Sequence, residues 1–182
     1  MKWTKEIYRS KLIDIFSLFL VGGFIGWLYE VILHLVMDGS FVNRGMLHGP
    51  WLPIYGLGCI LMVSLKYWAG KTIVSYFWAC FFASAVLEYV TSWLMEAIYH
   101  NRWWDYSKLP LNLNGRVFLG GLLGFALIGC LLSYVLLPGM KKMYCMLPQK
   151  LVNFSAYLLV VIFILDVFIS IRFPNMGVGV TR

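Results

Sequence analysis

Five apolar stretches, each about as long as a bilayer is thick, take up most of this 182-residue chain. A hydrocarbon core of about 30 Å needs about 20 apolar residues in helical form, since each residue advances about 1.5 Å. Runs at roughly 12–37, 51–68, 72–99, 116–137 and 151–172 meet that length. With 61% hydrophobic and 13% charged residues, the composition excludes an ordinary soluble domain. The expectation is an all-α integral membrane protein with five transmembrane helices, forming a single membrane domain over 1–182. Loops at 38–50 and 100–115 complete it, with no room for a soluble catalytic module. The first run reads as a span rather than a signal peptide: it is too long, contains Glu30 and lacks a small-residue cleavage site.

A net charge of +7 raises the question of nucleic acid, but the basic residues are distributed as topology signals. Lys2, Lys5, Arg9, Lys11, Lys66, Lys71, Lys141, Lys142 and Lys150 fall on one side of the expected spans. Arg44, Arg102, Lys108, Arg116, Arg172 and Arg182 fall on the other. Cytoplasmic loops are enriched in Lys and Arg, so the N-terminus is expected inside, the C-terminus outside, and both motif loops outside.

Within this apolar background one polar skeleton occurs twice. Glu30, Asp38, Asn43 and Arg44 share their spacing with Glu88, Glu96, Asn101 and Arg102, and Tyr29 and Tyr89 flank the first glutamates. Each copy is a helix going out, a loop and a helix returning. The first four helices therefore read as a parallel two-helix internal repeat, a plan known in transporters, with the fifth outside it.

Carboxylates inside spans are costly, and by default they signal function and face a bundle interior or a wet cavity. Glu30, His34 and Asp38 share a helix face, as do Glu88 and Glu96, with His100 beyond. On helical rise Glu30 lies about 12 Å, Glu88 about 16 Å and Asp166 about 9 Å inside the outer ends of their helices. Arg44, Arg102 and Arg116 stand near enough in the loops to pair with them. The candidate ligand-binding set is Glu30, Glu88, Glu96 and Asp166, with Asn43, Arg44, Arg102, Trp104, Asp105, Tyr106, Asn112 and Arg116. An interfacial belt explains Trp51, Tyr67 and Trp68. It explains Trp103-Trp104-Asp105-Tyr106 less well, since a belt needs no acid, and the tetrad reads as either ligand-facing or loop-folding.

Three readings of the set stand side by side. The acids and arginines form ion pairs that tie loop to helix; or they line a cavity that attracts a cation, proton or amine, where aromatic rings would also suit a quaternary ammonium; or they serve an intramembrane enzyme. A divalent metal on Glu30, His34, Glu96 and His100 is disfavoured because Ser92 replaces His34 in the repeat. Neither a metal, a cofactor nor a catalytic residue is expected. The glycines of GGFIG (Gly22, Gly23, Gly26) and GGLLG (Gly120, Gly121, Gly124) predict close helix contacts, with each other as one option. Cys59, Cys80, Cys130 and Cys145 form no CxxC pair and read as packing residues. Gly70-Lys71-Thr72 resembles the end of a phosphate-binding loop, but Leu65 stands where its first glycine belongs, so no nucleotide site is expected.

Several strings then point to a family. They are Gly26-Trp27-Leu28-Tyr29-Glu30, Asn43-Arg44-Gly45, Gly49-Pro50 and Pro53-Ile54-Tyr55-Gly56, followed by Glu88-Tyr89, Glu96, Trp103-Trp104-Asp105-Tyr106, Asn112 and Asn114-Gly115-Arg116. Over roughly 26–125 the chain resembles the CmpB-type family of bacterial membrane proteins, labelled ABC-transporter permeases, which has relatives among animal transmembrane proteins. The resemblance implies a multi-pass protein of the bacterial cytoplasmic membrane, assigned to transport and needing a separate ATPase chain. It brings no substrate and no catalytic residue. The expected function is a transporter membrane component with a polar, outward-facing intramembrane pocket. The alternative is a membrane-embedded enzyme, or a lipid- or small-cation-binding protein, using the same pocket. Expected partners are membrane lipid and that ATPase, without nucleic acid.

Overall fold

The computed structural model describes residues 6–139 and 148–176. Lys2, Lys5, Lys141, Lys142, Cys145 and Arg182 lie outside the described residues, as do the side chains of Arg9 and Lys11. The described residues are mainly helical: α1 (Glu6–Asp38), α2 (Pro53–Ala69), α3 (Ile73–Tyr99), α4 (Leu119–Leu131) and α5 (Gln149–Arg172). A hairpin of two-residue strands, β1 (Asn112–Leu113) and β2 (Val117–Phe118), precedes α4, and α4 continues through a π-helical turn at Leu132–Leu136. Among the described residues four helices are long and apolar enough to cross a membrane: Asp14–Asp38, Ile73–Tyr99, Leu119–Gly139 and Lys150–Arg172. The remaining helix, α2, has 17 residues, about 25 Å of rise against a hydrocarbon core of about 30 Å.

How a membrane helix is partitioned is legible along α3. Tyr76, Cys80, Ser84, Glu88 and Ser92 recur every fourth residue, and all are buried. Val74, Trp78, Phe82, Val86, Val90, Leu94 and Ile98 recur at the same interval, and all are exposed. Residues four apart form one ridge of a helix. The protic ridge thus faces protein and the apolar ridge faces outward, the reverse of a water-soluble helix and the arrangement a lipid solvent selects. Thr72 starts α3: its hydroxyl accepts from the Ser75 N–H at 3.1 Å, and the Ser75 hydroxyl accepts from the Thr72 N–H at 3.3 Å. The GKT tripeptide therefore ends in a helix cap.

The described contacts cluster into two compact units. The first comprises Met1–Ile60 and Met143–Asn175. In it α1 packs on α5 through Phe16, Phe19 and Phe163, whose rings lie 5.3–6.0 Å apart, mostly edge to face. Leu20, Leu47 and Trp51 are buried beside them. The GGFIG stripe seats the start of α2: a Cβ on Gly22 would meet Cys59, and one on Gly26 would meet the Tyr55 ring. The Leu52 N–H donates to the Gly23 carbonyl at 3.0 Å.

The second unit comprises Leu61–Lys142 and Met176–Arg182. Here α3 packs on α4 around Met62, Tyr76, Cys80 and Ala126, with Gly129 against Cys80 and Met62. The fully buried Tyr76 hydroxyl donates to the Met62 carbonyl at 2.8 Å and meets the Ser133 hydroxyl. Lys66 donates to the Ser133 carbonyl and lies 4.1 Å from the Tyr134 ring centroid. A π turn breaks the usual i→i−4 ladder, and these side chains occupy the carbonyls around it.

Two expectations need correction. The fourth helix begins at Leu119 rather than near 116. Asn114 (φ +54°) and Gly115 (φ +68°) are both left-handed, and the Arg116 N–H donates to the Leu113 carbonyl at 3.0 Å. Asn-Gly supports such a mirror-image turn because both residues tolerate positive φ, so Arg116 sits in a hairpin. The GGLLG stripe is not seated on a neighbouring helix. Gly22, Gly23 and Gly26 pack on Trp51–Cys59, Gly120 and Gly121 face the Phe118 ring, and nothing lies within 4 Å of a Cβ on Gly124.

Candidate functional site

The proposed site residues divide between the two units, and each cluster stands by itself. In the first unit Glu30 accepts a 2.7 Å hydrogen bond from the Tyr55 hydroxyl, and Arg44 Nε lies 3.5 Å from its other oxygen. The Arg44 and Glu30 side chains are 13% and 19% exposed, so this pair works largely away from solvent. Close packing of Gly26 on the Tyr55 ring brings the hydroxyl to Glu30. Motif loop 1 is held further by Asn43, which accepts from the Trp27 indole at 2.7 Å and donates to the His48 carbonyl at 2.9 Å.

Asp166 on α5 belongs to the same loop. Its carboxylate accepts from the backbone N–H groups of His48 (3.1 Å) and Gly49 (2.9 Å), from the Trp51 indole (2.7 Å) and from the Ser170 hydroxyl (3.2 Å). The expected arginine is replaced by four neutral donors. Such an array satisfies most of the acceptor sites of a carboxylate without bringing a second charge out of water. Beyond α5, His48 Nε2 donates to the Phe173 carbonyl at 2.8 Å. Asn175 donates to the carbonyls of Asn43 (2.9 Å), Gly45 (3.1 Å) and Met46 (2.8 Å). The fifth helix and the residues after it therefore clasp motif loop 1, a role that no local pattern in α5 signals.

In the second unit the arginines converge on Glu96. Arg102 Nε lies 3.0 Å from Glu96 Oε2, and Arg116 donates to the same oxygen and, at 3.0 Å, to the Ser92 hydroxyl. Arg102 also donates to the Asn114 carbonyl at 3.2 Å, and Arg116 lies 5.7 Å from the Tyr89 ring centroid. The two copies of the skeleton thus use their shared arginine differently: Arg44 returns to the first acid of its copy, Arg102 to the second of its own. Arg116, which has no counterpart in the first copy, also binds Ser92 and Glu96 on the α3 ridge. Glu88, two helical turns further into α3, is 5% exposed on that ridge.

The aromatic tetrad folds its loop. Trp103 is buried and packs edge-on to Tyr99 at 5.4 Å, the Trp104 indole donates to the Arg116 carbonyl at 2.9 Å, and Tyr106 lies 4.8 Å from Phe118. Asp105 accepts from the Ser107 N–H at 2.9 Å, and this backbone bond holds its carboxyl below the usual aspartate range. Asn112 closes the hairpin by accepting from the Gly115 N–H at 3.0 Å and donating to the Leu109 carbonyl at 2.7 Å. Asn114 donates to the Tyr89 hydroxyl at 2.9 Å, so the tyrosine beside the repeat glutamate is itself a loop anchor.

Sequence reasoning missed Tyr55, Trp51, His48, Ser92 and Asn175 as partners of the site. Tyr55 and Trp51 stand within or beside the family strings. Ser92 could have been found by continuing the four-residue interval between Glu88 and Glu96. Asn175 carries no local signal, since its partners are more than a hundred residues away. His34, weighed as a ligand, donates to the carbonyl of Glu30 at 2.9 Å, and among the described residues no cluster of three or more His, Cys, Asp or Glu could hold a metal ion.

Comparison with known proteins agrees with the resemblance. A family model described as "Putative ABC-transporter type IV" matches residues 17–171, most of the chain and well beyond the strings that first suggested it. No curated protein and no solved structure matches. The chain belongs to this ABC-transporter-type family and, with four apolar helices of spanning length, is a multi-pass membrane protein.

Proposed function

We propose that this family member is the membrane-embedded component of an ATP-driven transporter in the bacterial cytoplasmic membrane, working with a separate ATPase chain. The observation that carries the reading is the protic ridge of α3. A hydroxyl, a thiol, a hydroxyl, a carboxyl and a hydroxyl recur at every fourth position of a span and face protein rather than lipid. Side-chain hydroxyls alone serve as glue between membrane helices; a carboxylate mid-span is the costly element, and such residues mark substrate or ion paths. Glu88, with Ser84 and Ser92, is the polar surface we assign to the transported species, a cation, proton or amine by charge.

The other candidate residues order the two motif loops, each within its own unit. Glu30 with Arg44 and Asn43, and Asp166 with the His48 and Gly49 amides and the Trp51 indole, set motif loop 1. Glu96 with Arg102 and Arg116, and Trp104, Asp105, Tyr106 and Asn112 around them, set motif loop 2. We place both loops outside the cell, with α2 as a fifth, short span, since 17 residues lie at the lower limit for crossing a membrane. An impermeant thiol reagent should then label Ser40→Cys and Ser107→Cys from the same face of the membrane; labelling from opposite faces would mean that α2 does not cross.

The division of labour between the glutamates is tested by thermal stability measured beside ATP turnover of the assembled transporter. Removing one member of a buried ion pair costs about 3–5 kcal/mol, because the other charge is stranded. Glu30→Gln should therefore lower the melting temperature. Glu88→Gln should stay folded and lose substrate-stimulated turnover. Retention of full turnover by a folded Glu88→Gln variant would remove Glu88 from the path, and loss of fold alone would make it another loop tie.

A further inference from the structure

The hairpin ahead of α4 carries a feature that loop folding does not use. Leu109, Leu111 and Leu113 alternate along it, and all three are exposed, Leu111 by 74%. Leu111 also adopts φ +53°, a left-handed conformation that a side-chain-bearing residue enters at a cost of about 1–2 kcal/mol. A leucine held in a disfavoured backbone well with its side chain uncovered gains nothing from the protein's own core.

The position of the hairpin identifies what covers it. The Leu119 N–H donates to the Leu111 carbonyl at 3.1 Å, and Leu119 is the first residue of a membrane span. Leu111 therefore stands level with the start of that span, where headgroups give way to hydrocarbon. Lys108 is exposed next to the leucines, and a lysine beside apolar residues at this depth extends its ammonium to the phosphate layer while its stem stays in the apolar region. Around them the hairpin is braced: Asn112 holds Gly115 and Leu109, Asp105 holds Ser107, and Tyr106 packs on Phe118.

We propose that this hairpin is a membrane wedge, with Leu109, Leu111 and Leu113 seated in the acyl boundary of the adjoining leaflet and Lys108 at its phospholipid phosphates. The wedge fixes the depth of motif loop 2, and with it that of Arg102 and Arg116. It depends only on the chain spanning a membrane, so it stands or falls apart from the transport reading.

Nitroxide spin labels at Leu111→Cys and Leu113→Cys, in full-length protein reconstituted into phosphatidylglycerol-containing bilayers, test it through collision with oxygen and with a water-soluble nickel chelate. The unlabelled-site blank is the unsubstituted chain carried through the same labelling. Oxygen collision should exceed nickel collision at both leucine sites, with the order reversed at Ser107→Cys. Leu113 guards against disturbance at Leu111, because its backbone is ordinary β. Water-type accessibility at both leucines would overturn the proposal. So would protection from both reagents, since that would mean a protein surface, such as a second copy of the chain, covers the hairpin.

Discussion

Asp166 is the residue where local chemistry is most exposed to test. Two consecutive backbone N–H groups, an indole and a hydroxyl share its two oxygens. Hydrogen bonds to a charged acceptor contribute about 1.5–3 kcal/mol each. Asp166→Asn keeps the shape but turns one acceptor into a donor facing the donors already there. It should destabilise the first unit by about 3 kcal/mol or more, read as a fall in the denaturation midpoint. A change below about 1 kcal/mol would mean that water replaces these bonds at little cost. At this scale the sequence revealed which groups matter and not whom they meet. Glu30, Glu96, Asp166 and the arginines stand out because charge in an apolar run is costly. Their partners, a tyrosine on the next helix and amides more than a hundred residues distant, follow from packing that no local pattern encodes.

Among the elements, the helices were legible because a span must be long, apolar and continuous. Observed boundaries fall within about three residues of those expected for α2, α3 and α5, and for α4 taken together with its π-helical turn, the ordinary uncertainty of helix ends. The hairpin was not anticipated, although Asn114-Gly115 is a strong signal for one; the apolar run after it drew the helix too far back. Of the two glycine stripes, GGFIG is a contact face as expected and GGLLG is not, since spacing shows that a face is bare but not that a helix arrives. That difference has a measurable consequence. A methyl at Gly26 would collide with the Tyr55 ring, which positions the hydroxyl on Glu30, whereas a methyl at Gly124 meets nothing within 4 Å. Gly26→Ala should therefore lower the melting temperature and loosen motif loop 1 in hydrogen exchange. Gly124→Ala should leave both unchanged or raise stability slightly, because alanine is favoured over glycine by about 1 kcal/mol inside a helix. Equal effects at the two sites would contradict the assigned packing.

For the whole molecule, membrane residence was legible from composition and run length, and the family from short strings that mix glycine, aromatic and charged residues. What those strings could not convey is that the two polar skeletons close their loops by different pairings, Arg44 on Glu30 and Arg102 on Glu96, because pairing is set by tertiary packing. We propose that this chain supplies the membrane part of a transporter and that another chain supplies ATP hydrolysis. The most direct test of that claim is ATP turnover measured on the chain purified in mild detergent, with and without the proteins that accompany it. The account predicts that turnover travels with a co-purifying ATPase, disappears when that partner is stripped away, and is not abolished by Lys71→Ala, since Lys71 precedes a helix cap and not a phosphate cradle. Turnover by the stripped chain alone that Lys71→Ala abolishes, or the absence of any associated ATPase, would contradict it.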